Sequence, residues 1–166
     1  MKKLFIFIAL TALFIMGVAY LVKNIQNQKI NFNSNQVNQN LKEIKVGNTK
    51  IFVEIARSQE ERQKGLSGKD NLDENTGMLF VFDATNVKRN FWMKGMKFAL
   101  DFIWIKDGKV VQIDKNTPAP DEGTEDSKLI IYTSQMPIDY VLEVNAGFSD
   151  KNNIKTGDNV DLSKVQ

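Results

Sequence analysis

The chain has no cysteine and no histidine. Without cysteine there can be no disulfide, no thiol nucleophile and no thiolate-bound metal. Without histidine there is no Ser-His or Cys-His pair, none of the usual zinc ligands, and no side chain that titrates unperturbed near neutral pH. Any catalysis would have to use carboxylates, lysine, tyrosine, hydroxyls or a hard metal held by oxygen. Acids are missing from one region altogether: residues 1–40 carry four lysines and no Asp or Glu. Residues 41–166 carry 18 basic and 20 acidic residues, a net charge of −2. The basic excess therefore belongs to the N-terminal segment, and nucleic acid, which needs a basic patch on the folded part, is not an expected partner. P-loops, dinucleotide-binding glycine motifs and nucleic-acid modules are absent as well, and no cofactor is expected.

Charge is also absent from Leu4 to Val22, a run of nineteen residues. As a helix this run would extend roughly 28 Å, close to the thickness of a hydrocarbon core. Lys2 and Lys3 precede it, and Tyr20 and Lys23 suit the far interface. The positive-inside bias then places the N-terminus in the cytoplasm and everything after the run outside. A cleaved signal peptide is the alternative, but its apolar region is usually shorter, and "MGVAY" offers no clean small-x-small site. Residues 1–23 are read as a transmembrane anchor in a single-pass cell-membrane protein. Residues 24–40, "NIQNQKINFNSNQVNQN", are too poor in hydrophobes to offset ordering entropy and are read as a flexible Asn/Gln-rich linker. As a coil that linker would span on the order of 25 Å.

Residues 41–166 read as an extracytoplasmic β domain. "EIKVGNTKIFVEIA" predicts two strands around a Gly47-Asn48 turn. In "SQEERQKGLSG", Ser58 and Glu61 form a capping-box pattern and Gly65 a stop, so one short helix is predicted over 59–64. "GMLFVF" (77–82) has the continuous apolar character of a buried strand. Further strands are predicted at 87–93, at 98–105, in "KLIIYTS" and in "DYVLEV", with a hairpin around Asp107-Gly108. The tail predicts a helical turn or loop, a Gly157-Asp158 turn and a closing strand. About eight short strands with one helix point to a mainly β sandwich or barrel.

The ordered motifs "EERQKGL", "GMLFVF", "FWMK", "LDFIWI", "DGKVV", "YVLEV", "AG" and "IKTGDNV" resemble the domain of unknown function 192 family, also called uncharacterised protein family 0127. The resemblance covers about residues 44–162. It implies a compact, mainly β, jelly-roll-like domain, often exported or membrane-anchored, in a family without an established activity. One departure is "FWMKGM" where such proteins usually read "FWMKNT", which places Gly95 in the turn after Lys94.

The stretch "RNFWMKGMKFALDFIW" (89–104) holds both tryptophans of the chain. Strand alternation puts Phe91 and Met93, and then Leu100, Phe102 and Trp104, on a core face. Trp92 is sent to the opposite face, where a ring can serve as a binding platform. Asp101 interrupts an apolar strand, so its carboxylate must be paired or face a cleft, with Lys94 or Arg62 as a partner. Arg62 on the short helix is either solvated, as most helical arginines are, or an anion-recognising fork, a reading that the family's regular Arg at this motif raises by analogy alone. Glu143 in "YVLEV" either faces outward or shares a cleft with Asp101 as a carboxylate pair of the kind glycosidases use. The acids of "PAPDEGTED" (118–126) read as a solvated loop; their spacing matches no EF-hand loop, and no metal is expected. These readings converge on a domain that binds a ligand or partner at the cell envelope through Arg62, Trp92, Lys94 and Asp101. The alternative is a carboxylate-dependent hydrolase of an envelope polymer that uses Asp101 and Glu143.

Overall fold

The computed structural model describes residues 15–25, 41–84 and 86–165. The chain divides into two units, residues 1–40 and 41–166. In the first, the described residues form helix α1 (15–25). Among the described residues no helix is long and apolar enough to cross a membrane. The expected membrane-spanning helix therefore has no counterpart there: α1 covers only the last part of the uncharged run, and residues 4–14 lie outside the described residues, as do linker residues 26–40.

The second unit is mainly β. Its strands are β1 (Lys42–Val46), β2 (Thr49–Ala56), β3 (Thr76–Val81), β4 (Asn90–Phe91), β5 (Leu100–Lys106), β6 (Lys109–Thr117), β7 (Tyr132–Thr133), β8 (Tyr140–Asn145) and β9 (Val160–Asp161). Helices α2 (Gln59–Lys64) and α3 (Phe148–Lys151) complete it, with a single 3-10 turn at Asp126–Lys128. Seven strands form one sheet in the order β6-β5-β8-β3-β2-β1-β9, and β4 and β7 pair separately.

Local chemistry accounts for most of the connections. Asp107 and Gly108 both have positive φ, 48° and 67°, as a two-residue type I′ hairpin loop requires. Strands β2 and β3 are parallel, which demands a crossover, and α2 supplies it. That helix begins where the capping box predicts: Ser58 Oγ accepts from Glu61 N at 3.1 Å, and Glu61 Oε2 accepts from Ser58 N at 2.9 Å.

Of the expected sandwich or barrel, a barrel-like sheet forms, and only the sandwich reading is corrected. Five successive strands are hydrogen-bonded on both sides, so no break exists at which a second stacked sheet could start. The sheet instead curls into a half-barrel. At one end its edges are tied together by a bridge between Lys109 and Asn159. Val110 N donates to Asp158 O at 2.9 Å, Gly157 N to Val110 O at 2.8 Å and Val160 N to Gly108 O at 2.8 Å. Joining the edges removes the exposed ladder that an open sheet would present.

Both faces of the central strands are buried, on opposite sides of the sheet. The concave side packs Leu79 of β3, Ile103 and Ile105 of β5 and Leu142 and Val144 of β8. The convex side packs Met78 and Phe80, Leu100, Phe102 and Trp104, and Val141. Trp104 thus shares a face with Leu100 and Phe102, as alternation predicts. The predicted strands 87–93 and "KLIIYTS" shrink to the two-residue β4 and β7, which pair with each other as a flap over the convex side. Phe91 fixes the flap: its ring meets Phe80, Phe82, Phe102 and Trp104 edge-on at 4.9, 6.3, 5.7 and 5.6 Å between centroids. Such contacts add roughly 0.5–1.5 kcal/mol each beyond area burial. Trp92, next in sequence, points away and is 47% exposed, whereas Trp104 is 0% exposed.

Candidate functional site

A cleft of about 280 Å³ opens on the convex side, between α2 with its following loop and the β4 flap. Its floor carries Phe80 of β3 and Glu143 of β8, with Leu66, Phe91 and Met96 as apolar walls. Polar and charged groups line it as well: Gln59, Arg62, Gln63 and Lys64 from α2, Asn90 and Trp92 from the flap, and Lys94. Spacings of three and four residues put Gln59, Arg62 and Gln63 on one side of the helix. The two walls are joined by Ser67 Oγ, which donates to Lys94 O at 2.6 Å, and by Gly68 N, which donates to Gly95 O at 3.0 Å. Gly95 makes this approach possible. Its φ is +69°, and a Cβ there would stand 3.3 Å from Ser67 Cβ.

Arg62 is half-buried. Its Nη1 donates to Val81 O at 3.1 Å and to Arg57 O, and its guanidinium lies 5.5 Å from the centre of the Phe82 ring. A second guanidinium, that of Arg89, lies 4.3 Å from the centre of the same ring. Arg89 Nη2 donates to Ala84 O at 2.5 Å, but its Nε is buried with no acceptor among the described residues. Burial first, and then the charge of Arg62, lowers the Arg89 pKa from its ordinary value. Lys94 is already engaged: its ammonium pairs with Asp126 and sits 5.5 Å from the Trp92 ring.

Glu143 is 5% exposed, and burial alone pushes its pKa up to about 8. At neutral pH it is therefore mainly a protonated acid, able to donate a hydrogen bond into the cleft and bearing no charge that would repel an anion. The outward-facing, solvated glutamate allowed by alternation is not what forms, because the flap and α2 cover that side of β8.

Of the residues singled out from the sequence, Arg62, Trp92, Lys94 and Glu143 are brought together here. Asp101 is not, and its assignment to a ligand site is corrected. It is 0% exposed and lies on the concave side of β5, two residues before Ile103. Its carboxylate accepts from Asn116 N at 2.8 Å, Gly147 N at 3.1 Å and Ser149 N at 2.9 Å. Three backbone donors replace the ion pair expected with Lys94 or Arg62 and pin the β6 bend and the start of α3 to the sheet. The Asp101–Glu143 pair is corrected for the same reason, since the two carboxyls leave the sheet on opposite faces. Among the described residues no group of three acids is placed to hold a metal ion, and Asp126 of the acidic loop is spent on Lys94.

The comparisons with known proteins agree with this architecture. The family model of DUF192, described as Uncharacterized ACR, matches residues 42–162. The chain belongs to the DUF192 family. A solved Sinorhizobium meliloti protein described as a candidate transcription regulator is similar to this DUF192 domain at 27% identity, with a TM-score of 0.64, over 73% of this chain and 92% of its own. A Novosphingobium aromaticivorans protein of unknown function is similar at 27% identity and a TM-score of 0.65, over 73% of this chain and 84% of its own. Curated proteins give no match.

Sequence reasoning missed Arg89 and Phe82. Arg89 stands two residues before Phe91 in the very stretch that drew notice, but a flap that turns it onto Phe82 is a non-local arrangement. Gln59 and Gln63 carried a legible signal, their helical spacing from Arg62, which was not used.

Proposed function

We propose that this DUF192 domain is a ligand-binding module at the cell envelope and that its site is the cleft between α2 and the β4 flap. The observation that carries the reading is the convergence of Arg62, Trp92 and Lys94 around an apolar floor that holds the uncharged Glu143. Apolar walls with a few placed polar groups are the usual make-up of a small-molecule site, and about 280 Å³ falls just under the usual range of roughly 300–1,000 Å³. The placement outside the cell and the N-terminal anchor rest on the uncharged run from Leu4 to Val22 behind a lysine pair. The hydrolase alternative loses its second carboxylate, since Asp101 is sealed on the other side of the sheet. The role given for the Sinorhizobium meliloti relative is not carried over, because the net charge of −2 over residues 41–166 does not favour nucleic acid.

The test is a nuclear magnetic resonance titration of the full chain with a panel of small aromatic compounds, neutral and charged. Binding in the cleft moves the amide signals of Ser67, Trp92 and Met96 together. If no compound moves them, or if shifts gather elsewhere, the reading fails. Protease added to intact cells tests the placement: the domain should be digested, and a protected domain would overturn the extracytoplasmic assignment.

A further inference from the structure

Every ion pair among the described residues is made by a lysine. The chain has three arginines, Arg57, Arg62 and Arg89, and among the described residues none forms an ion pair, although the charge of Arg62 acts on the nearby Glu61. Two of them converge on the ring of Phe82, at 5.5 and 4.3 Å, and their like charges oppose each other there. Phe82 and Arg62 both line the cleft. Two half-buried like charges on one ring are costly to hold, and a buried donor with no acceptor among the described residues, here Arg89 Nε, is rare enough in folded proteins to need a cause. An anion seated at the ring would provide one, since guanidinium offers paired donors matched to carboxylate or phosphate oxygens. Nothing in the cleft opposes it: Lys94 is neutralised by Asp126, and the one acid among the lining residues, Glu143, is uncharged at neutral pH.

We infer that the cleft takes an amphipathic oxyanion, its acidic group held by Arg62 and Arg89 at Phe82 and its apolar body laid along Phe91, Phe80 and Met96. This rests on the cleft being a ligand site and adds the chemical class of the ligand. Charge supplies the orientation, because the cationic end is at the Phe82 edge while the floor is apolar. Trp92 covers the body from the exposed side.

The test compares 4-fluorobenzoate with 4-fluorobenzamide, near-isosteres that differ in charge, and adds inorganic phosphate as an anion without a body. Fluorine line-broadening with the full chain reads binding of the first two, and competition reads the third. Fluorobenzoate should bind at least about tenfold more tightly than the amide, a typical worth of a charge-assisted contact. Arg89→Met and Arg62→Met, which keep an apolar stem on Phe82, should each erase that preference by bringing fluorobenzoate binding down to the level of the amide. Urea melts with midpoints near that of the parent show that both variants are folded. Equal binding of acid and amide, or a preference that survives both substitutions, would overturn the inference and leave the ligand-binding reading standing. Phosphate competing as well as fluorobenzoate would overturn the role of the apolar body. Binding of none of the three would remove the ligand-binding reading as well.

Discussion

Asp101 and Glu143 lie on neighbouring strands one residue out of step: Asp101 opposes Val144, and Glu143 opposes Phe102. Side chains on adjacent positions of a strand leave opposite faces, so the two carboxyls project to opposite sides of one sheet. Both are buried, yet their environments differ entirely. Asp101 meets three backbone N–H groups, whereas no hydrogen bond or ion pair of the Glu143 carboxyl is present among the described residues. Two acids that look alike in an apolar strand are thus a structural pin and a cleft group.

Stability should fall as pH rises through the range set by Glu143. Its folded pKa, about 8, is above the ordinary 4.5, so between those values the unfolded chain ionises while the folded chain stays protonated. The stabilising preference is fully present below about pH 4.5 and is lost progressively up to about pH 8. Glu143→Gln removes this slope and should raise stability near pH 8.5, by an amount on the order of 4 kcal/mol from the size of the shift. Urea melts of both proteins from pH 5 to 9 measure it. Parallel curves over that range would show that Glu143 ionises normally in the fold.

Asp101→Asn should destabilise by roughly 2–3 kcal/mol. An amide presents one NH2 where the carboxylate presented oxygen, so at least one of Asn116, Gly147 and Ser149 loses its acceptor in a dry setting. Amide exchange at these three positions should rise before exchange at β3. Unchanged exchange would mean that the pin contributes little.

Much of the fold was legible because it rests on local chemistry. Ser58 and Glu61 mark the start of α2, and Gly47 and Asp107-Gly108 mark two hairpins, each readable within a few residues. The register of Trp104 followed from alternation alone. What alternation cannot say is whether a second face is covered. Burial of Glu143 depends on a flap held by Phe91 against rings of β3, of Phe82 just after it and of β5, and the partners of Asp101 come from residues 116, 147 and 149. Closure of the sheet likewise depends on Val110 meeting residues 157 and 158, far along the chain. The candidate residues that did converge, Arg62, Trp92 and Lys94, come from two short motifs that the contacts of Ser67 with Lys94 and of Gly68 with Gly95 bring face to face.

Gly77→Ala should disturb the sheet under the cleft. A Cβ at this position would sit 2.6 Å from Glu143 O, a backbone atom that cannot swing aside. Either β3 or β8 must shift, at a cost of roughly 1–3 kcal/mol for overpacking. The denaturation midpoint should drop, and the amide signal of Glu143 should move more than that of Val160 on β9, three strands away from β3 in the sheet. A neutral midpoint would mean that the pairing of Gly77 with Val144 is looser than it stands.

The two tryptophans should separate cleanly. Trp104 is fully buried among Phe91, Phe102 and Val141, and its Nε1 donates to Asp114 at 2.7 Å. Trp104→Ala removes a large ring and one of the two donors to Asp114 Oδ2, so it should cost roughly 3–5 kcal/mol. Trp92 is 47% exposed, and its main neighbour is the Lys94 ammonium. Trp92→Ala should cost about 1 kcal/mol or less, since less area is removed from burial. The same substitution should weaken any compound that moves the cleft amides, because it strips the exposed side of the cleft. Denaturant melts and the aromatic titration, run on both variants, measure the two effects separately. A Trp92→Ala variant as unstable as Trp104→Ala would place Trp92 in the core, and one that binds as well as the parent would remove it from the ligand's path.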